Sequence, residues 1–214
     1  MIVVDIETSG NLDPDNGIWQ IGAVEFENPN NTFLQEARID KKDKIEEEAL
    51  KVTGKTEAEL RDKNKQSQKQ LLKNFFEWTS KIKNKIFVAH NTPFDYGFLT
   101  LKSKQYNLKF PFNHRTFDLH VFAVMKYFEI NGKIPIEEGK SSFNLSKVLE
   151  FCGMEDKRIR LKDKEVIKNG SPHNGLEDAK LEAECLSRIL YGKGLFAEYG
   201  KFNIPNYLKK SDKR

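Results

Sequence analysis

The sequence has little cysteine and no long apolar run, and each absence excludes a class of protein. Its 214 residues include two cysteines, Cys152 and Cys185, which form no C-x-x-C pair. This usage is typical of small core residues in a reduced, intracellular protein rather than of a secreted domain held by disulfides. No apolar run is long enough to span a membrane. A buried strand is predicted from Met1 onward and leaves no room for a signal peptide, so we expect a soluble, cytoplasmic protein.

Hydrophobic content is also modest, and the net charge is small. Hydrophobic residues make up 38% of the chain, although sixteen Phe and two Trp can still fill a core. Charged residues reach 32% and the net charge is +4. This mildly basic balance permits nucleic-acid binding without requiring it, because the same lysines can simply form a solvated surface. The length suits one domain with a full core or a domain with small additions.

Strands and helices alternate along the chain after an opening meander. Short apolar runs bounded by turn residues predict strands within residues 1–10, 18–26, 32–39, 86–89 and 115–118. Helical spacing and capping residues predict helices over residues 67–82, 92–106, 119–128, 144–152 and 175–191. No repeat or linker divides the chain. The order predicts an α/β domain with a mixed five-stranded sheet flanked by helices.

The first strand carries two carboxylates one residue apart, Asp5 and Glu7. Residues two apart on a strand point to the same face, so both acids project side by side from a core strand. Their charges repel, and burial makes ionising both costlier. A divalent cation such as magnesium or manganese would remove this difficulty, because both prefer oxygen ligands. The alternative is a strand end whose acids simply reach solvent.

Three later residues could join this pair at one end of the sheet. Asp95 lies in the first turn of the helix after the fourth strand, and Asp178 lies in the first turns of the last helix. Four such carboxylates can hold two divalent ions about 4 Å apart and so assist a phosphoryl displacement. His173, on the loop that enters the last helix, can take a proton from an attacking water because the pKa of histidine lies at about 7.

At these residues the chain resembles the DEDDh-type, DnaQ-like 3′→5′ exonucleases of the ribonuclease-H-like superfamily, which include the proofreading subunits of bacterial replicative polymerases such as DNA polymerase III. The three motifs of that family are matched in order by Asp5-Ile6-Glu7-Thr8, His90-Asn91-Thr92-Pro93-Phe94-Asp95 and His173-Asn174-Gly175-Leu176-Glu177-Asp178-Ala179. The resemblance covers residues 1–192, which we expect to form the exonuclease domain with a ribonuclease-H-like fold. Residues 193–214 would be a short tail, partly disordered.

The resemblance implies a role for each matched residue. Asp5 would bridge two Mg²⁺ or Mn²⁺ ions, Glu7 and Asp178 would hold the ion that activates water, and Asp95 would hold the second ion. The general base would be His173, because Asn174 stands where the Tyr-type relatives carry tyrosine. For the substrate, the main chain around Thr8 would hold the 3′-terminal nucleotide, and Leu12 and Phe94 would stack against its base or wedge beside it.

The implied activity is metal-dependent 3′→5′ hydrolysis of terminal phosphodiesters in single-stranded DNA or RNA, which releases nucleoside 5′-monophosphates. The implied partners are single-stranded 3′ ends, with a polymerase or replication protein as a further candidate and no membrane. Two alternatives use the same fold: a non-catalytic nucleic-acid or polymerase-binding module, and an endonuclease. The basic segment 157–168 near His173 would either contact substrate phosphates or form a solvated surface.

Overall fold

A mixed five-stranded sheet forms the centre of the computed structural model, which describes residues 1–162 and 165–210. Its strands are β1 (Ile2–Thr8), β2 (Ile18–Glu25), β3 (Thr32–Glu36), β4 (Phe87–Ala89) and β5 (Phe117–Asp118). They lie in the order β3-β2-β1-β4-β5. The first three strands pair antiparallel, and β4 and β5 continue the sheet parallel to β1. The predicted fold class is therefore confirmed.

Strand β1 is the central strand and separates two hydrophobic cores. Ile2, Val3 and Val4 are fully buried because β1 is paired on both edges and covered on both faces. Ile2 and Val4 belong to one core, whereas Val3 belongs to the other. Side chains alternate along a strand, so Asp5 and Glu7 follow the face of Val3. The two carboxylates thus project from the sheet on the same face as the hydrophobic core that contains Val3.

Helices flank this sheet, seven of them within the described residues. They are α1 (Glu47–Thr53), α2 (Glu57–Leu60), α3 (Gln68–Ser80), α4 (Thr92–Gln105), α5 (Leu119–Asn131), α6 (Leu145–Phe151) and α7 (Gly175–Tyr191). Two small hairpins, β6–β7 (Ile136–Glu137 and Lys140–Ser141) and β8–β9 (Arg160–Lys162 and Glu165–Lys168), and a 3₁₀ turn (Ala197–Tyr199) complete the described elements. In the part of the chain that the structure describes, no helix has both the length and the apolar character needed to cross a bilayer.

Helix α7 approaches the sheet closely at its first turn. A Cβ on Gly22 of β2 would lie 2.0 Å from the backbone of Gly175 and Leu176, so only glycine fits there. The Gly175 amide donates a 2.7 Å hydrogen bond to Gln20 Oε1, also on β2. Asn174 caps the same turn by accepting from two backbone amides. Together these contacts fix the turn that carries Asp178 directly over β1.

The segment after α7 returns to the core within the described residues. The Glu184 carboxylate accepts hydrogen bonds from the backbone amides of Leu195 and Phe196, and Leu208 is buried. The predicted partly disordered tail, residues 193–214, is thus packed at these positions, while residues 211–214 lie outside the described residues. Residues 163–164 of the basic segment also lie outside them.

Candidate active site

Side chains from four separate elements meet above the carboxyl end of β1. Strand β1 supplies Asp5 and Glu7, the first turn of α4 supplies Asp95, and the first turn of α7 supplies Asp178. The Ile6 backbone amide donates to Asp95 Oδ1 at 3.1 Å, which ties α4 to β1. The loop before α7 brings in His173, whose Nδ1 lies 3.4 Å from Asp178 Oδ2.

These carboxylates lie in a site that disfavours their negative charge. Glu7, Asp95 and Asp178 are at most 7% exposed. Burial raises the pKa of Asp5 well above its usual value, and the charges of Asp178 and Glu7 raise it further. Burial likewise raises the pKa of Glu7, and it raises the pKa of Asp95 to about 8. Burial and mutual repulsion therefore both favour the protonated forms of these carboxyls when no cation is bound.

The cluster has the ligand atoms of a metal site, and one of its buried oxygens lacks a hydrogen-bond partner among the described residues. Glu7 Oε1 is buried and has no hydrogen-bond partner among the described residues. Glu7, His173 and Asp178 each offer a ligand atom, and these atoms all lie within 4.8 Å of one another. Two like charges at about 4 Å cost about 4 kcal/mol at an effective dielectric constant of about 20. A divalent cation would offset that cost and give Glu7 Oε1 a partner, so the residues fit one.

The ring of His173 is fixed through both of its nitrogens. Its Nε2 lies 2.9 Å from the carbonyl oxygen of Ile159, and its Nδ1 faces Asp178. Its backbone amide donates to the Val52 carbonyl of α1 at 3.0 Å, which joins the loop that carries His173 to that helix. The imidazole is therefore oriented by a carboxylate on one side and a main-chain carbonyl on the other.

Two of the hollows that adjoin the carboxylates share Phe94 as a lining residue. One, of about 300 Å³, is bordered by Thr8, Phe94, Leu161 and His173 among others. The other, of about 410 Å³, is bordered by Asp5, Asp95, His90, Phe94 and Asn144 among others. Phe94 therefore lies between the hollows, where its ring packs against Phe98 with centroids 5.1 Å apart. Each hollow is within the size range of small-ligand sites.

The predicted substrate residues differ in their positions relative to the two hollows. Thr8 borders the smaller hollow, and its Oγ1 donates to the Gly10 carbonyl at 2.6 Å, which shapes the turn after β1. Phe94 borders both hollows. Leu12 is 46% exposed, lies against Gly97 of α4 and is not among the residues that border the two hollows.

Two further charged residues reach the cluster and were not predicted. Glu182 lies one turn after Asp178 on α7, and its Oε2 accepts the His90 backbone amide at 3.0 Å. Arg158 is 9% exposed, and its Nη1 donates to Asp178 Oδ2 at 3.1 Å. The four-residue spacing on α7 could have indicated Glu182, because such residues share a helix face. Arg158 stood only within a basic segment, which gave no signal for this contact.

A comparison with family models identifies the family of this chain. The family model described as Exonuclease, RNase T, matches residues 2–186. The PolC-type DNA polymerase III of Thermotoga petrophila is 35% identical over 105 residues, which cover 49% of this chain. That match spans 7% of the polymerase, so the chain corresponds to a small part of this relative.

Solved structures share the fold at low identity. The nuclease domain of 3′hExo, described as a DEDDh family member bound to rAMP, has a TM-score of 0.60 at 19% identity, with 96% of this chain and 95% of that chain covered. Cell-death related nuclease 4 has a TM-score of 0.65 at 16% identity, with 88% and 62% covered. Exonuclease I of E. coli, in complex with a dA16 oligonucleotide, has a TM-score of 0.60 at 15% identity, with 88% and 40% covered.

Proposed function

Because the chain belongs to the RNase T family of exonucleases, we propose that it is a 3′→5′ exonuclease that uses two divalent metal ions, Mg²⁺ or Mn²⁺, to release nucleoside 5′-monophosphates from single-stranded ends. The observation that carries this proposal is the convergence of Asp5, Glu7, Asp95 and Asp178 in one buried cluster, with Glu7 Oε1 unpartnered among the described residues. Such a cluster is costly to a fold unless cations bind it.

The four carboxylates would hold the metal ions. Asp5, Glu7 and Asp178 would hold the ion that activates water, and Asp5 and Asp95 would hold the second ion. Bound divalent ions lower the pKa of a coordinated water and neutralise charge that develops on the phosphate oxygens. The Ile6 amide keeps Asp95 turned toward β1. The acids thereby form one preorganised frame rather than four independent ligands.

His173 is the proposed general base. Its Nδ1 faces Asp178 Oδ2, so a proton on Nδ1 would be held there and leave Nε2 to accept the proton of the attacking water. A hydrogen bond from Nε2 to the Ile159 carbonyl requires a proton on Nε2, so the ring must turn from that carbonyl and release this proton before Nε2 can act as the base. A base oriented in this way typically contributes roughly 10²- to 10⁴-fold to the rate.

The smaller hollow is the proposed pocket for the 3′-terminal nucleotide. Its volume of about 300 Å³ suits one nucleotide, and it opens beside Glu7 and His173. The main chain around Thr8 would hold the terminal sugar, and Phe94 would contact the base. Leu12, at the outer edge, would wedge beside the base. The 3′ ends of DNA and RNA are both proposed substrates, and the polymerase relative makes a replication partner a further proposal.

The test is a degradation assay with purified full chain on matched DNA and RNA oligonucleotides. We expect stepwise shortening of a 5′-labelled strand and release of mononucleotides in Mn²⁺, and neither in EDTA. The Asp5→Ala protein should keep its fold and lose hydrolysis. A 3′-blocked oligonucleotide that is cut at the normal rate would indicate an endonuclease. A stable complex without mononucleotides would indicate a binding module.

A further inference from the structure

Arg158 contacts the acidic cluster through Asp178. Its guanidinium is almost fully buried, which is rare for arginine unless the charge is paired. Nε and Nη2 donate to the two carboxylate oxygens of Asp156 at 3.0 and 3.2 Å. Nη1 donates to Asp178 Oδ2 at 3.1 Å. One planar group therefore joins a carboxylate outside the cluster to a carboxylate inside it.

The Asp156 side of this bridge is anchored. Asp156 accepts a hydrogen bond from the Ser146 hydroxyl of α6 and one from the Arg158 backbone amide at 3.0 Å. Burial acts to raise the pKa of Asp156, but the guanidinium and these hydrogen bonds together hold it well below its usual range. Because one end of the bridge is fixed, the direction of Nη1 is fixed as well. The guanidinium fork is rigid and planar, so it transmits that direction to Asp178.

Backbone hydrogen bonds join the segment around Arg158 to the loop that carries His173, the proposed base. The Ile159 amide donates to the Ser171 carbonyl at 2.9 Å, and the Ser171 amide donates to the Lys157 carbonyl at 2.8 Å. Ser171 precedes His173 by two residues. Arg158 and the His173 loop are therefore parts of one backbone frame, and both reach Asp178 Oδ2. Asp178 Oδ2 thus has two nitrogen neighbours, Arg158 Nη1 and His173 Nδ1, which together set the orientation of this carboxylate.

We propose that Arg158 is a positioning residue that fixes the carboxylate of Asp178 for metal binding, with Asp156 as its anchor. This inference rests on the proposed function, because it assigns Asp178 as a metal ligand. Groups that orient metal ligands in this way typically change metal affinity or activity by roughly 10- to 100-fold when they are removed. A structural ion pair without this role would change thermal stability and leave metal affinity unaltered.

The test is calorimetric titration of Mn²⁺ into the metal-free full chain. We expect Arg158→Met to weaken Mn²⁺ binding by about 10- to 100-fold. Arg158→Lys should recover part of the affinity, because an ammonium can contact Asp178 but cannot span both carboxylates. In activity assays kcat should fall while KM for the oligonucleotide stays near that of the unaltered chain, since Arg158 contacts carboxylates rather than the nucleotide hollow.

If the Arg158→Met protein does not fold, a comparison of two other variants tests the inference. Removing one partner of a buried ion pair is far more harmful than removing both. We therefore compare Asp156→Asn, which keeps the Arg158–Asp178 bond, with the double variant Asp156→Asn and Arg158→Met, which loses it. Mn²⁺ binding that is weaker in the double variant than in Asp156→Asn supports the inference, and loss of the anchor alone should give the smaller weakening. Equal binding in the two proteins overturns it.

The proposed function and this inference fail in different ways. An unaltered chain that binds no Mn²⁺ refutes the two-metal function and the inference with it. An unaltered chain that binds Mn²⁺ and degrades oligonucleotides, beside Arg158 variants that bind Mn²⁺ equally well, refutes the inference alone.

Discussion

The raised pKa of Asp95 predicts that the metal-free protein loses stability as the pH rises. Asp95 has a pKa of about 8 in the folded protein, chiefly because it is buried, whereas an unfolded aspartate titrates at about 3.9. Between these values the folded state binds more protons than the unfolded state. The free energy of unfolding therefore falls with increasing pH across this window. Asp95→Asn removes the titrating group and keeps the shape of the side chain.

The magnitude follows from the width of the pH interval. Within the window, one such group lowers the free energy of unfolding by about 1.4 kcal/mol per pH unit. Between about pH 5.5 and 7.5 the unaltered protein should therefore lose about 3 kcal/mol relative to Asp95→Asn. For a chain of this size, that difference corresponds to roughly 6 to 12 °C in Tm. The raised pKa values of Asp5, Glu7 and Glu182 depend in part on the charge of Asp95, so the difference between the two proteins reports the coupled cluster of carboxyls. His90, whose pKa is lowered by burial, is present in both proteins.

The assay is thermal unfolding of both proteins in EDTA at several pH values, followed by the same series in saturating Mn²⁺. In EDTA the unaltered protein should show the steeper decline in Tm with pH. Mn²⁺ should raise its Tm most at the upper end of the pH range, because the cation stabilises the ionised carboxylates. If both proteins show the same pH dependence in EDTA, Asp95 does not titrate in this range and the account of the cluster is wrong.

Two further predictions concern the base and the frame that holds the site. His173→Ala should lower kcat by roughly 10²- to 10⁴-fold, measured by single-turnover kinetics at saturating Mn²⁺; an unchanged rate would assign the base elsewhere. Gly22→Ala should lower Tm by several degrees and weaken Mn²⁺ binding, because its Cβ would meet the first turn of α7 at 2.0 Å. Ala23→Gly on the same strand is the matched control, since it leaves that contact intact, and a normal Mn²⁺ affinity in Gly22→Ala would contradict the prediction.

Local signals in the sequence were enough to predict the main elements. Helix α7 has the predicted bounds, residues 175–191, because Asn174 caps its first turn and Gly192 ends it with a positive φ of 66°. Helix α5 was predicted to end at Phe128 and continues to Asn131, where Gly132 provides the same kind of stop. Each of these ends is set by a residue that lies next to it in the chain.

Long-range pairing was harder to predict. Strand β3 was predicted to reach residue 39 and ends at Glu36, because the chain leaves β2 and Arg38 pairs with Ser67 instead. The contact of Arg158 with Asp178 likewise depends on how the β8–β9 hairpin folds back, since 20 residues separate the two in the chain. No periodicity or capping rule contains that information.

The position of α7 explains how the fold tolerates an acidic cluster on its central strand. Its first turn is held against β2 by the Gln20 hydrogen bond and by the close contact at Gly22. Near its other end, the buried Arg188 donates hydrogen bonds to the backbone carbonyls of Cys152 and Tyr199, at 3.0 and 3.2 Å, outside the helix. Because both ends are anchored, repulsion between Asp178 and the acids of β1 cannot move the helix away. Repulsion between the carboxylates therefore persists in the metal-free site, and a bound cation can relieve it. Arg158 reduces part of this repulsion, because its positive charge lies beside Asp178.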